Sequence, residues 1–149
     1  MAQTIPATMK ALVTQADNTA QVQDVAVPAI DADEVLVKVV AIAQNPIDWK
    51  CTYLRSLHVA GPHSHSLVDV AYAANPGTIC GSDWSGYVVK AGKNVTSPAI
   101  GDHVAGFVHG GNYEGHGGFA EYVKTQGDLL WKVPEGTLTH EDAATMGCA

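Results

Sequence analysis

The chain has 149 residues, of which 46% are hydrophobic, and eight basic against fifteen acidic residues give it a formal net charge of −7. This length and apolar content are typical of one globular domain with its own core, so we treat residues 1–149 as a single domain. The acidic balance argues against nucleic acid and anionic membranes as partners, because both bind basic surfaces. No apolar run is long enough to span a membrane and no secretory leader opens the sequence, so we expect a cytoplasmic protein.

Short β-type runs separated by turn residues predict a mainly β domain, a barrel or sandwich with few helices. The predicted strands, in chain order, are Met9–Gln15, Ala20–Val27, Glu34–Ala43, Tyr87–Lys90, Asp102–Val108, Gly118–Lys124 and Leu129–Val133.

Two segments carry stronger local signals. Glu34–Ala43 is rich in valine and apolar at both alternating positions, which predicts a central strand covered on both faces. The run that begins at Thr139 matches a capping box and predicts a helix that includes Ala143 and Met146. We expect the chain to end within that helix.

The segment between Lys50 and Gly81 breaks the pattern of short connections. It contains residues 51–80, and loops of this length are usually functional or disordered. A lid over a substrate pocket and a gene-model artefact, such as a retained intron, are both open interpretations. We interpret His63 and His65, within this segment, as solvated loop residues rather than metal ligands. The three cysteines, Cys51, Cys80 and Cys148, are odd in number and widely spaced, which indicates reduced thiols.

Five short motifs occur in a characteristic order: Asn45-Pro46-Ile47-Asp48-Trp49-Lys50, Gly81-Ser82-Asp83-Trp84-Ser85-Gly86, Gly101-Asp102-His103-Val104, Gly117-Gly118-Phe119-Ala120-Glu121-Tyr122 and Val133-Pro134-Glu135-Gly136. Together they resemble the N-terminal catalytic domain of the medium-chain dehydrogenase/reductase superfamily, the GroES-like or alcohol-dehydrogenase-like domain. The resemblance runs from about Met9 to Ala149. It implies a mainly β, GroES-like, partly open β-barrel with short helices, without the Rossmann half that binds the nucleotide.

The resemblance also bears on zinc. Zinc-dependent members carry a cysteine where this chain has Asn45 or Asp48, and a histidine where it has Ser82. Zinc prefers thiolate, imidazole or carboxylate ligands in a tetrahedral set, and the four clustered cysteines of the structural zinc are also missing from the sequence. A zinc-independent reductase is therefore the better match, and we expect no metal site.

Residues 115–120 match the pattern G-x-G-x-x-A, a variant of the dinucleotide-binding fingerprint. That fingerprint must open a helix, so that the pyrophosphate meets the helix N-terminus. The residues that follow, Glu121-Tyr122-Val123, predict a strand instead. We therefore interpret this match as a turn that enters a strand.

The Asn-Pro-x-Asp-Trp-Lys motif of residues 45–50 is similar to that of zinc-free enoyl and quinone reductases, and especially to trans-acting enoyl reductases that partner fungal polyketide synthases. By this resemblance Asn45, Asp48 and Lys50 are the candidate catalytic residues. Asn45, Pro46 and Lys50 would bind the nicotinamide cofactor. The alternatives are a helix cap for Asn45, with Pro46 at the first helical position, and a solvated side chain for Lys50.

The remaining motif residues have mostly structural interpretations. We expect Asp83 to hold a turn by hydrogen bonds to neighbouring amides more than to take part in chemistry. Trp49, Tyr53 and Trp84 are expected in the core or in a pocket wall.

The resemblance implies hydride transfer from NADPH to the β-carbon of an α,β-unsaturated ketone, aldehyde or thioester, or to a quinone. The α-carbon then needs an acid or a water as proton donor. His58, His103 and Tyr53 are candidates, and the sequence does not choose among them.

A chain without the nucleotide-binding half is expected to be inactive alone and to bind NADPH only weakly. We interpret it as a truncated product, an isolated domain or a degenerate paralogue, with an uncovered interdomain face that favours self-association. The alternative function is a non-enzymatic GroES-like binding module.

Overall fold

The computed structural model describes residues 4–50 and 74–147, and within them β-strands dominate. Strand order and a few short helical segments agree with the mainly β fold predicted from the sequence. The elements are β1 (Thr8–Thr14), β2 (Ala20–Ala26), β3 (Glu34–Ala43), α1 (residues 46–50), β4 (Asp83–Ala91), β5 (His103–Phe107), β6 (Tyr122–Gln126), β7 (Leu130–Lys132) and α2 (His140–Ala144).

The strands form two antiparallel sheets. β1 and β2 make a hairpin, and the other five strands form a curled sheet in the order β6-β3-β4-β5-β7. The hairpin turn contains Asn18 with a φ of 64°, a left-handed conformation that asparagine tolerates better than most residues. Two irregularities in the β3–β4 register, at Leu36/Val37 and at Val39/Ala41, are the kind of bulge that bends a strand. The sheet therefore curves into the open half-barrel expected of a GroES-like domain.

β3 is the second of the five strands in the larger sheet, with β6 on one side and β4 on the other, and it is covered on both faces only in its first half. Val35 and Val37 pack into one core cluster with Trp84, while Leu36 faces a second cluster beneath the β1–β2 hairpin. Further along, Val40 and Ile42 are 51% and 43% exposed. The prediction of a doubly covered strand is confirmed for its first residues and is wrong for its end, which extends past the last pair with β6, Lys38–Tyr122, and exposes Val40 and Ile42.

The C-terminal helix is short. Thr139 is its N-cap, and the capping box predicted from the sequence is present, with Asp142 as the reciprocal partner. The helix ends at Ala144, with Thr145 as the C-cap, so Met146 lies beyond it rather than within it as predicted. Ala143 anchors the helix by packing on Ala105 and Val133.

A histidine pair attaches α2 to the sheet. The Oγ atom of Ser85, a fully buried residue of β4, lies 2.9 Å from His103 Nε2 and 2.9 Å from His140 Nδ1. The two imidazole ring centroids are only 3.8 Å apart, and the Tyr87 ring packs 4.7 Å from that of His140. A hydroxyl has one proton, so at least one imidazole must donate to Ser85. The other nitrogen of His140, Nε2, is buried and has no hydrogen-bond partner in the described part of the chain.

This arrangement favours neutral histidines. Burial lowers the pKa of His103, and burial together with the neighbouring His103 lowers the pKa of His140, against a smaller opposing effect of Glu141. If both histidines were protonated, two positive charges would lie close together. The Nε2–H group of a protonated His140 would also be buried without an acceptor in the described part of the chain.

We predict that the protein loses stability as the pH falls. Both imidazoles have a pKa below the unfolded value of about 6.5, so the unfolded chain takes up protons first. The stability that the two neutral histidines contribute is complete above about pH 6.5. It is lost as the pH falls from there through their lower pKa values in the folded protein. Thermal melts between pH 8 and pH 5 should show a falling Tm, and His140→Gln should flatten the fall. The exposed His109, changed to Gln, is the matched control. An identical pH profile in His140→Gln and the wild type would contradict this assignment.

Candidate functional site

The strongest constellation of polar side chains lies where β3 ends and β4 begins. The two strands are antiparallel, and Ala43 pairs with Asp83 in their register. The loop that follows β3 is therefore adjacent to the loop that precedes β4, although the two are far apart in sequence. Asn45 and Asp48 come from the first loop and from α1, Ser82 comes from the second loop, and Asp83 is the first residue of β4.

Hydrogen bonds connect these four residues. Asn45 Nδ2 donates to Asp83 Oδ2 at 2.7 Å, and the backbone N–H of Asn45 donates to Asp48 Oδ2 at 2.8 Å. The Ser82 hydroxyl donates to the other Asp48 oxygen, also at 2.8 Å. Both oxygens of Asp48 and one oxygen of Asp83 thus accept bonds that hold the two loops together.

Asn45 stands at the N-cap position of α1, but its side chain does not cap the helix. Asp48, three residues later, accepts the backbone N–H of Asn45 as the second half of a capping box would. The backbone N–H of Asp48 donates to the backbone carbonyl of Asn45 at 3.0 Å rather than to its side-chain oxygen, and the side-chain N–H₂ group donates to Asp83. The interpretation of Asn45 as a simple helix cap is therefore wrong for its side chain.

Asn45 and Asp48 border a cleft of about 420 Å³. The β1–β2 hairpin supplies one wall and the 44–49 segment another, and more of the lining is apolar than polar. The described lining residues are Leu12, Asn18, Thr19, Ala20, Gln44, Asn45, Asp48, Trp49, Cys80 and Phe119.

The position of the cleft residue Phe119 depends on a glycine, Gly81. Gly81 has a φ of +91°, and a Cβ atom there would collide with the ring and the backbone nitrogen of Phe119. The backbone of this stretch is fixed by bonds from Gly118 N to Gly81 O at 2.8 Å and from Phe119 N to Cys80 O at 2.9 Å. Gly81 therefore allows the 117–119 loop to pack directly against the start of β4.

The structure places the other candidate residues as follows. Pro46 occupies the first position of α1, as predicted. Lys50 is exposed, and its Nζ lies 5.9 Å from the ring centroid of Trp49, which is itself 61% exposed and lines the cleft. Trp84 is fully buried in the core. The predictions for Trp49 as a pocket wall and for Trp84 as a core residue are confirmed.

Asp83 differs from expectation. It is the first residue of β4, fully buried, and its side-chain partner Asn45 is 38 residues away in sequence. It therefore links two loops rather than bracing a local turn.

The candidate proton donors are not brought together. His103 belongs to the cluster with Ser85 and His140, and it is not among the described residues that line the cleft. Tyr53 and His58 lie outside the described residues, as do His63, His65 and most of the long 51–80 segment. Cleft residues that the sequence did not suggest are Leu12, Thr19 and Phe119, because only tertiary contacts bring the hairpin and the 117–119 loop to this place.

Two further searches bear on the class of site. Within residues 4–50 and 74–147, no group of three or more His, Cys, Asp or Glu side chains is arranged to hold a metal ion. No helix in the same ranges is long and apolar enough to cross a membrane. Residues 115–120 lead into strand β6 rather than a helix, so they do not form a dinucleotide-binding turn.

Residues 31–135 match the family model of the alcohol dehydrogenase GroES-like domain. The chain therefore belongs to the GroES-like catalytic-domain family of the medium-chain dehydrogenase/reductase superfamily, as the motifs indicated.

Among its relatives, the chain is similar to fungal trans-enoyl reductases. It is 41% identical to trans-enoyl reductase ACTTS2 of Alternaria alternata over 143 residues, which cover 94% of this chain and 36% of that protein. It is 35% identical to trans-enoyl reductase TOXD of Cochliobolus carbonum over 142 residues, covering 93% of this chain and 41% of that protein. The chain thus spans less than half the length of these relatives.

Solved structures show the same fold. The quinone oxidoreductase from Coxiella burnetii superposes with a TM-score of 0.74 at 26% identity, covering 94% of this chain and 41% of that one. A crotonyl-CoA carboxylase/reductase gives a TM-score of 0.73 at 26% identity over 94% of this chain and 37% of that one.

We predict that Gly81→Ala is more destabilising than Gly101→Ala. Both glycines have φ near +90°, but a Cβ at Gly101 meets nothing within 4 Å. Gly101→Ala should therefore cost only the backbone strain, on the order of 1 kcal/mol. Gly81→Ala should cost roughly 1–3 kcal/mol more because Phe119 must move. Urea denaturation of both variants measures the difference. Equal losses would show that the packing of Gly81 against Phe119 is not tight in solution.

Proposed function

We propose that this chain is the catalytic-domain portion of a zinc-independent, NADPH-dependent oxidoreductase that reduces the activated double bond of an α,β-unsaturated carbonyl or thioester, or a quinone. The carrying observation is the cleft beside Asn45, where one oriented amide borders a mostly apolar space. Family membership and the trans-enoyl reductase relatives support this reaction class.

The cleft suits a nicotinamide ring and a small substrate. Its volume lies within the range of about 300–1,000 Å³ common for small-molecule sites, and such sites combine apolar walls with a few placed polar groups. Leu12, Cys80 and Phe119 offer apolar contact to a planar ring. Asn45 offers an amide that can bond a carboxamide. NADPH supplies the hydride when bound, and the protein supplies position and electrostatics.

The chain's own residues have distinct parts in this proposal. Asn45 touches the nicotinamide or the substrate carbonyl and orients it. The apolar walls exclude water, which strengthens every polar contact inside the cleft. Pro46 sets the start of α1 and thereby the direction in which Asn45 points.

Lys50 and Asp48 have supporting roles in this proposal. The exposed ammonium of Lys50, which lies 5.9 Å from the ring centroid of the cleft residue Trp49, orients an anionic part of the cofactor or substrate. Asp48, whose two oxygens already accept bonds from Asn45 and Ser82, serves as the scaffold of the site rather than as a proton donor.

We propose a polyketide synthase as the partner, because the chain is similar to trans-enoyl reductases. A trans-acting enoyl reductase receives its unsaturated acyl chain from another protein, and a polyketide synthase in the cytoplasm would present such a thioester. The −7 charge of the chain favours a basic docking surface on that partner.

The test is a fusion in which this chain replaces the corresponding segment of ACTTS2, so that a nucleotide-binding half is present. We predict NADPH oxidation that depends on an added 2-alkenoyl thioester. Asn45→Ala should lower turnover roughly ten- to a hundred-fold, because one positioning hydrogen bond at a reacting centre contributes about 1–3 kcal/mol. Asn94→Ala is the matched control, since Asn94 Nδ2 makes a similar 2.8 Å bond to Asp33 at an exposed place.

A fusion that folds and binds NADPH but reduces neither the thioester nor a quinone would overturn the proposed reaction. That result would favour the alternative, a GroES-like binding module. Equal losses in Asn45→Ala and Asn94→Ala would remove Asn45 from the site.

A further inference from the structure

We infer that Asp83 is a positioning residue that fixes the Asn45 amide, so that its carbonyl oxygen Oδ1 is presented to the cleft as a hydrogen-bond acceptor. The geometry of the Asn45–Asp83 pair supports the orientation of the amide. The part that this orientation has in binding a cofactor rests on the proposed function.

The orientation of the amide follows from the chemistry of the pair. Asp83 is fully buried, and its Oδ2 lies 2.7 Å from Asn45 Nδ2. Asn45 Nδ2 is the donor in this bond, so the N–H₂ end of the amide faces Asp83. Oδ1 is then the end that points away from Asp83, and Asn45 borders the cleft.

The rest of Asn45 is held independently of Asp83. Its backbone N–H is bonded to Asp48 Oδ2 at 2.8 Å, and Asp48 is itself fixed by Ser82. The following Pro46 restricts the backbone on the other side. The side-chain torsions of Asn45 are the freedom that remains, and the bond to Asp83 removes it.

The bond to Asp83 also determines which class of ligand the Asn45 amide binds. The hydrogen bond that the N–H₂ group donates to the buried carboxyl oxygen of Asp83 polarises the amide and makes Oδ1 a stronger acceptor than a free asparagine offers. An oxygen of this kind binds N–H donors and favours nearby positive charge. A primary carboxamide on an aromatic ring, the polar group of a nicotinamide, has the matching donor. Asp83 thus acts on the cofactor through Asn45 without touching it.

The experiment uses the ACTTS2 fusion and two variants. Asp83→Asn removes the carboxylate and lets the Asn45 amide turn, so kcat/KM should fall roughly ten-fold. The exchanged pair Asn45→Asp with Asp83→Asn restores a hydrogen bond between the positions but presents a carboxylate to the cleft. It should recover the Tm while activity stays low.

The exchanged pair tests whether the site needs the amide oxygen of Asn45. Recovery of both the Tm and the activity would show that the site works without that oxygen, and the inference would be overturned. Asp33→Asn is the matched control, because it alters the exposed Asn94–Asp33 pair and should leave activity unchanged.

A second readout needs no activity. In the 149-residue chain, NMR should show one Asn45 side-chain proton exchanging slowly with solvent, and Asp83→Asn should change the signals of that amide. Unchanged Asn45 signals would overturn the positioning role even in an active fusion. An inactive wild-type fusion with the expected NMR result would instead refute the proposed function and leave the orientation of Asn45 by Asp83 established.

Discussion

The pairing of β3 with β4 is the constraint on which the site depends. Its register sets Ala43 opposite Asp83, and this single juxtaposition brings two loops together that share no local sequence relationship. Val35 and Val37 of β3 and Trp84 and Val88 of β4 are buried together in one core cluster. A slip of one residue would turn this whole apolar set toward solvent, so the core fixes the register and the register fixes the site.

The register of β3 and β4 also determines how the Asn45 side chain is held. Asn45 is held at its backbone by Asp48 and at its amide by Asp83, and Asp48 is braced by Ser82. Asn45, Asp48 and Ser82, which the resemblance of the motifs sets at or near zinc-ligand positions of metal-dependent members, belong to one hydrogen-bonded network in this chain. A side chain held at both ends loses little freedom when a ligand binds, and this is the physical advantage of building a site on rigid elements.

Local signals in the sequence were sufficient for much of the fold. Glu34–Ala43 was delimited correctly from its valine-rich run, and the Thr139–Asp142 capping box was recognised because both partners lie within one turn of helix. β4 was predicted only from Tyr87, whereas it begins at Asp83. Ser85 and Gly86 are poor strand formers in isolation, and burial between β3 and β5 overrides that preference. The resemblance of the motifs supplied the fold family, which the family model confirms.

The contacts that define the site could not be read in the same way. The Asn45–Asp83 bond spans 38 residues and the Ser85–His140 bond spans 55, so neither leaves a pattern in local sequence. The cleft wall contributed by Leu12 and Thr19 depends on how the hairpin packs on the larger sheet. The sequence indicates candidate site residues, and the tertiary structure determines which of them lie together.

The central claim is that the cleft beside Asn45 receives the nicotinamide. A crystal structure of the ACTTS2 fusion with NADP⁺ and an unreactive substrate analogue tests it most directly. We predict that the nicotinamide ring lies against Leu12 and Phe119, with its carboxamide within hydrogen-bond distance of Asn45 Oδ1. A bound cofactor whose nicotinamide lies elsewhere, with the cleft beside Asn45 left to solvent, would contradict the account.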